Sequence, residues 1–217
     1  MKNEFHVSEI FASIEGEGKR TGYIATFVRL TGCNLRCSYC DTKYAQHMGA
    51  DDSMVLTEDE LLEKVVAMGW KRVTITGGEP LLHDIQNFVI RLSNAGFETN
   101  IETNGAVKLL KDRPKNLFYT MDWKCPSSGE NEKMLVGNLK KLTEKDVLKF
   151  VVGNVDDLEE MNRIIGMVKR PLIYVSPVFN EITPAEIVEY VKQNKLTNVC
   201  TQVQLHKIVY RPDERGV

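Results

Sequence analysis

Short β-branched runs and amphipathic helices take turns along most of this chain, and that alternation restricts its fold more than any other feature. Thr57 and Glu60 stand three apart ahead of Leu61, Leu62, Val65 and Val66, which predicts a helix opened by a capping box and ended at Gly69. Arg72 to Thr76 reads as a strand that stops at Gly77-Gly78. A second helix, carrying Ile85, Phe88, Val89 and Leu92, ends at Gly96, and a strand follows from Phe97 to Glu102. Further strands are predicted at Ile24 to Leu30, Phe118 to Asp122, Val147 to Val152, Leu172 to Val175 and Val199 to Gln204. Helices built on Leu158, Met161, Ile164, Ile165 and Val168, and on Ile187, Val188 and Val191, separate the later ones.

Such alternation calls for a parallel sheet with helices on its outside. A closed eight-unit barrel takes about 250 residues, and this chain has 217. The expectation is an α/β fold, an open or partial β/α barrel of about six or seven strands, in one domain over 1–217. Chemistry in such sheets gathers where the strands end, and the unusual residues fall there. The Pro-, Ser-, Gly- and Asn-rich stretch from Lys124 to Lys141 is expected to be a long loop over the same edge.

The bulk charge is nearly balanced, with 28 basic against 30 acidic side chains. It gives no reason to expect nucleic acid or a membrane surface as partner, and no local basic patch stands out. The opening segment MKNEFHVSEIF turns polar too soon for a signal peptide, and no run approaches the roughly 20 apolar residues of a membrane span. The expected compartment is the cytoplasm, where clustered cysteines point to metal or cluster ligation and not to disulfides. Cys200 is expected to be a core thiol, while His6 and His83 suggest no role.

Three of the five cysteines, Cys33, Cys37 and Cys40, lie within eight residues, directly after the predicted strand Ile24 to Leu30. Three thiolates can hold three irons of a cubane cluster and leave the fourth open to a small molecule. A zinc site completed by His47, or simple burial of the thiols, are the competing readings. Gly77-Gly78-Glu79-Pro80 would by itself pass for an ordinary turn, although two glycines let a backbone approach a ligand and Glu79 can accept from an ammonium.

CxxxCxxC after one strand and GGEP after the next resemble the radical S-adenosylmethionine superfamily. That resemblance implies a radical SAM core, a 4Fe-4S cluster on Cys33, Cys37 and Cys40, and S-adenosylmethionine on the open iron along Gly77, Gly78 and Glu79. It extends from Glu9–Gly18 to His206-Lys207 and Gly216-Val217, where the chain is similar to the 7-carboxy-7-deazaguanine synthases. These convert 6-carboxy-5,6,7,8-tetrahydropterin to 7-carboxy-7-deazaguanine with loss of ammonia, on the way to queuosine and related deazapurines.

By that resemblance Ile14, Glu15, Gly16, Arg29, Thr76, Gln204, His206 and the carboxylate of Val217 face the pterin substrate. The family more often has Gln where this chain has Glu15. Thr42 matches the family's Mg2+ ligand, and Lys124, Ser127 and Ser176 stand in cofactor-side loops. Plainer roles compete: an ion pair for Arg29, a turn cap for Thr42, loop structure for Lys124, Ser127 and Ser176, and a simple turn against a ribose contact for Glu102-Thr103-Asn104-Gly105. The family further implies a homodimer and an electron donor such as flavodoxin or ferredoxin. An activating enzyme for a glycyl-radical protein would share the cluster loop, and a zinc-stabilised binding module is the reading that involves no catalysis.

Overall fold

The strand signals resolve into one nine-stranded sheet in the computed structural model, which describes residues 3–50, 52–211 and 214–217. Met1 and Lys2 of the opening segment therefore lie outside the described residues. The strands are β1 (Glu4–Ile14), β2 (Ile24–Leu30), β3 (Met54–Thr57), β4 (Arg72–Gly77), β5 (Glu98–Thr103), β6 (Leu117–Trp123), β7 (Val147–Val152), β8 (Leu172–Pro177) and β9 (Val199–Thr201). Their spatial order is β3-β1-β2-β4-β5-β6-β7-β8-β9, with β3 and β9 at the two ends of an open sheet.

Seven strands, β2 and β4 to β9, run parallel, which is the set that the alternation marks out. The two beyond the expected count are β1 and β3, which pair antiparallel. An antiparallel partner needs no helical crossover, so neither strand sits in a strand-helix alternation and neither was visible there.

Four helices follow the expected pattern: α1 (Glu58–Ala67), α2 (Gln86–Asn94), α4 (Val155–Ile165) and α5 (Pro184–Gln193). Both halves of the Thr57 capping box form, Glu60 N donating to Thr57 Oγ1 at 3.4 Å and Thr57 N to Glu60 Oε2 at 2.8 Å. Within the expected loop 124–141 the chain makes 3-10 turns at Pro126–Ser128 and Asn131–Lys133 and the short α3 (Val136–Leu139). The last predicted strand stops at Thr201, and His206 opens a short α6 (His206–Val209). Cys200 is exposed and not a core thiol, because β9 is a three-residue edge strand with one neighbour.

The period of two along each parallel strand divides apolar from polar side chains. Val73, Ile75, Ile101, Leu148, Phe150 and Val152 join the helices in the hydrophobic core. Thr74, Thr76, Asn100, Glu102, Thr120, Asp122, Lys149 and Ser176 alternate with them and fall on the other, concave face. The outer face holds the fold together by apolar burial, and the inner face leaves a polar, charged interior. No helix among the described residues is long and apolar enough to cross a membrane.

Candidate active site

The loop from Gly32 to Gln46 is fastened at its base by backbone bonds from Gly32 N to Ala45 O (2.8 Å) and from Cys33 N to Gln46 O (2.9 Å). The end of β4 is sewn to the same base: Gly78 N donates to Leu30 O (3.0 Å) and Glu79 N to Gly32 O (2.7 Å). Gly77 has φ +133°, and a Cβ there would stand 2.0 Å from Leu30 O; one on Gly78 would stand 2.1 Å from Gly32 O. Both glycines are thus required by close approach of the chain to itself. A ligand need not be invoked to explain them.

Glu79 is fully buried. Its carboxylate accepts from Leu81 N (3.0 Å), Thr103 Oγ1 (2.8 Å) and Asn104 N (2.7 Å), tying the end of β5 to the glycine turn. Burial pushes the carboxyl up to about 7 against these donors. Asn104 in turn reaches the cysteine loop, its Nδ2 lying 2.9 Å from Asn34 Oδ1 and 3.7 Å from Cys33 Sγ.

The three thiols are partly buried, and Cys33 and Cys37 pack against the core. Burial raises the Cys33 thiol and pushes Cys37 up to about 11. A cationic metal centre would reverse that, and the N–H of Leu35 and the amide of Asn104, both aimed at Cys33 Sγ, suit a thiolate sulfur. The donor set fits an iron-sulfur cluster. Among the described residues no group of three or more His, Cys, Asp or Glu side chains, these cysteines included, is drawn together to hold a single metal ion.

The 124–130 segment clamps this loop from above, with Ser38 N bonding Ser128 O (3.1 Å), Ser38 Oγ bonding Ser127 O (2.8 Å) and Arg36 N bonding Glu130 Oε1 (2.6 Å). Ser127 gives its own hydroxyl to Asp157, near the start of α4, so its side chain holds the clamp in place. Lys124 Nζ pairs with Asp122 Oδ2 at 2.6 Å and lies 5.7 Å from the centre of the Tyr39 ring.

Thr42 precedes a 3-10 turn, but its side chain makes no capping bond there; its hydroxyl donates to Asp41 Oδ1 at 2.9 Å. The capping reading is set aside, and the oxygen keeps lone pairs for a hard cation. Arg29 does make the ion pair, Nε to Glu9 Oε2 at 2.8 Å. Glu9 also receives Tyr44 Oη (3.0 Å) and Arg215 Nε (3.2 Å), so β1, β2, the cysteine loop and Arg215 near the C-terminus meet at one carboxylate.

On the concave face Glu15 is buried and takes a hydrogen bond from Thr74, with Arg20 Nη1 3.8 Å away. Burial and the neighbouring Glu102 carboxylate raise it to about 7. Thr76 hydrogen-bonds Glu102. Gly16 and His206 touch so closely that a Cβ on Gly16 would fall 1.8 Å from His206 Nδ1, and Leu205 N bonds Gly16 O at 3.0 Å. Ile14 ends β1 just ahead of this contact.

Sequence reasoning singled out neither Glu17 nor Lys149. Glu17 accepts from Lys149 Nζ (3.0 Å), Ser176 Oγ (2.6 Å) and Gln204 Nε2 (3.4 Å), joining the first loop to β7, β8 and the C-terminal segment. Against the cost of burial, the Lys149 charge and the Ser176 bond hold its carboxyl down at about 2. A lysine inside the apolar run VLKFVV was the signal that could have exposed it, since a charge is tolerated there only when paired.

These features stand at one edge of the sheet and on its concave face. The radical SAM superfamily model matches residues 27–120, the span holding the cysteine loop and the glycine turn. A 7-carboxy-7-deazaguanine synthase of Clostridium acetobutylicum is 43% identical over 98% of this chain and 99% of its own length. The chain belongs to the 7-carboxy-7-deazaguanine synthase family. A synthase of the same name from Methanospirillum hungatei is 37% identical over 95% of this chain and 86% of its own. The crystal structure of QueE from Escherichia coli superposes with a TM-score of 0.78 at 25% identity, over 94% of this chain and 95% of that one.

Proposed function

We propose that this chain is a radical S-adenosylmethionine enzyme that converts 6-carboxy-5,6,7,8-tetrahydropterin to 7-carboxy-7-deazaguanine with loss of ammonia. One observation carries the reading: the cysteine loop, the glycine turn and Arg29 share an edge above a charged concave face, in a chain that aligns end to end with a named synthase. When bound, the 4Fe-4S cluster and S-adenosylmethionine supply one electron and a 5'-deoxyadenosyl radical able to take hydrogen from C6 of the pterin.

The protein's own part is positional. Cys33, Cys37 and Cys40 hold the cluster, and Gly77 and Gly78 set the sheet edge against the loop that carries it. Arg29, with its terminal guanidinium nitrogens outside the Glu9 bond, offers a fork to the substrate carboxylate. Thr42, whose hydroxyl bonds Asp41, would join Mg2+ beside it. Ile14, Glu15, Gly16, Thr76, Gln204, His206 and Val217 enclose the pterin, and Lys124 and Ser176 border the cofactor. The C-terminal segment, latched by Glu17 and Glu9, keeps bulk water away from the radical. A cytoplasmic homodimer served by flavodoxin or ferredoxin completes the proposal.

Anaerobic incubation of the reconstituted protein with S-adenosylmethionine, reductant, Mg2+ and the tetrahydropterin, read by mass spectrometry, tests it. The deazaguanine product is expected with S-adenosylmethionine regenerated. Deoxyadenosine accumulating one for one with activation of a protein partner, and no deazaguanine, would sink the assignment.

A further inference from the structure

Cationic residues scattered through the sequence at 19, 20, 72, 115 and 145 meet at the other end of the sheet, where the parallel strands begin. Lys19, Arg20, Arg72, Lys115 and Lys145 line a cleft of about 350 Å³ whose only acidic lining residue is Glu98. Arg72 opens β4, Glu98 opens β5, and Lys115 and Lys145 stand just before β6 and β7. A six-residue strand spans roughly 20 Å, so this cleft is separate from the cysteine edge.

Its five cations outnumber the carboxylates that face them, Glu98 at the rim and the buried Glu15 behind Arg20. Arg20 Nη2 and Arg72 Nε converge on the same exposed oxygen of Glu98, each at 3.6 Å and so beyond hydrogen-bond distance. The Arg20 side chain is nine-tenths buried, and its Nη1 finds no hydrogen-bond partner, Glu15 Oε1 standing 3.8 Å away. The nearby Asp146 is fully buried and already gripped by Arg113 through two bonds of 2.6 and 2.8 Å. Lys19 and Arg20 lie over the ring of Phe118, at 3.6 and 4.6 Å, and Arg72 over that of Tyr23, at 4.2 Å. Burial, with repulsion among the cations, lowers the proton affinity of both Lys19 and Arg20.

We propose that this cleft binds a small polyphosphoryl anion, of the size of a diphosphate or the phosphate tail of a nucleotide. Two guanidiniums and three ammonium groups around one opening match several phosphoryl oxygens better than a single carboxylate. The aromatic faces are already covered by cations, so recognition is of the phosphates and not of a stacked base.

The test is calorimetric titration of the reconstituted protein, with S-adenosylmethionine already bound, using pyrophosphate in Mg2+-free buffer against sodium chloride of equal ionic strength. Saturable binding is expected. Arg72→Gln and Lys145→Gln are each expected to weaken it about tenfold, and Glu98→Gln to tighten it. These side chains lie at the rim, and unchanged thermal unfolding midpoints confirm that the variants fold. Absence of saturation at millimolar pyrophosphate, indifference to both Arg72→Gln and Lys145→Gln, or saturable binding only when S-adenosylmethionine is left out would each overturn the proposal. Saturable binding of a single-stranded oligonucleotide but not of pyrophosphate would also overturn it, in favour of a nucleic-acid surface.

Discussion

Single residues in this chain divide between those whose role their neighbours in sequence announce and those defined only by distant partners. The expectation for Cys33, Cys37 and Cys40 is of the first kind, since it rests on their spacing and on the GGEP run that follows. Glu17 is of the second: Lys149, Ser176 and Gln204 lie 132, 159 and 187 residues away, and no local pattern links them. Because its folded pKa of about 2 lies below the ordinary 4.5, Glu17 stabilises the fold above pH 4.5, and that contribution is lost as pH falls toward 2. Glu17→Gln should therefore cost roughly 3 kcal/mol at neutral pH, with the gap to the parent protein narrowing in urea unfolding as the solution is acidified below pH 4.5. A gap that stays constant across that range would mean that the carboxylate's charge is not what matters.

At the scale of elements, strands and helices linked by crossovers were legible because their periodicities switch between two and about 3.6. β1 and β3 were not, since antiparallel pairing leaves no such switch, and Cys200 was misjudged because sequence does not tell an edge strand from a central one. The glycine turn was legible as a special turn, but its structural reason was not: Gly77 and Gly78 are small so that β4 can touch the cysteine loop. Gly78→Ala would set a methyl 2.1 Å from Gly32 O and 2.9 Å from Ala45 O, backbone atoms that cannot swing aside. We expect about 3 kcal/mol of destabilisation and fewer irons per chain after anaerobic reconstitution. Full iron content would show that the seam can open without harm to the loop.

Across the whole molecule, the open sheet is bridged by the C-terminal segment, which Gly16, Glu17 and Glu9 hold against the first strand and loop. In Gly16→Ala the new Cβ would meet the His206 ring at 1.8 Å. The imidazole and the segment behind it can move outward, so the fold should survive while the pterin side loosens. The expected result is a KM for the pterin raised about tenfold, with kcat and the unfolding midpoint little changed. A fall in kcat alone would place His206 in the chemistry rather than in the enclosure.

The oily convex side and the ionic concave side of the sheet belong to the same strands but answer to different demands. Variation among the residues under the helices can therefore tune heat resistance while leaving the proposed reaction chamber untouched, and libraries aimed at new substrates can be confined to every second position of a few strands.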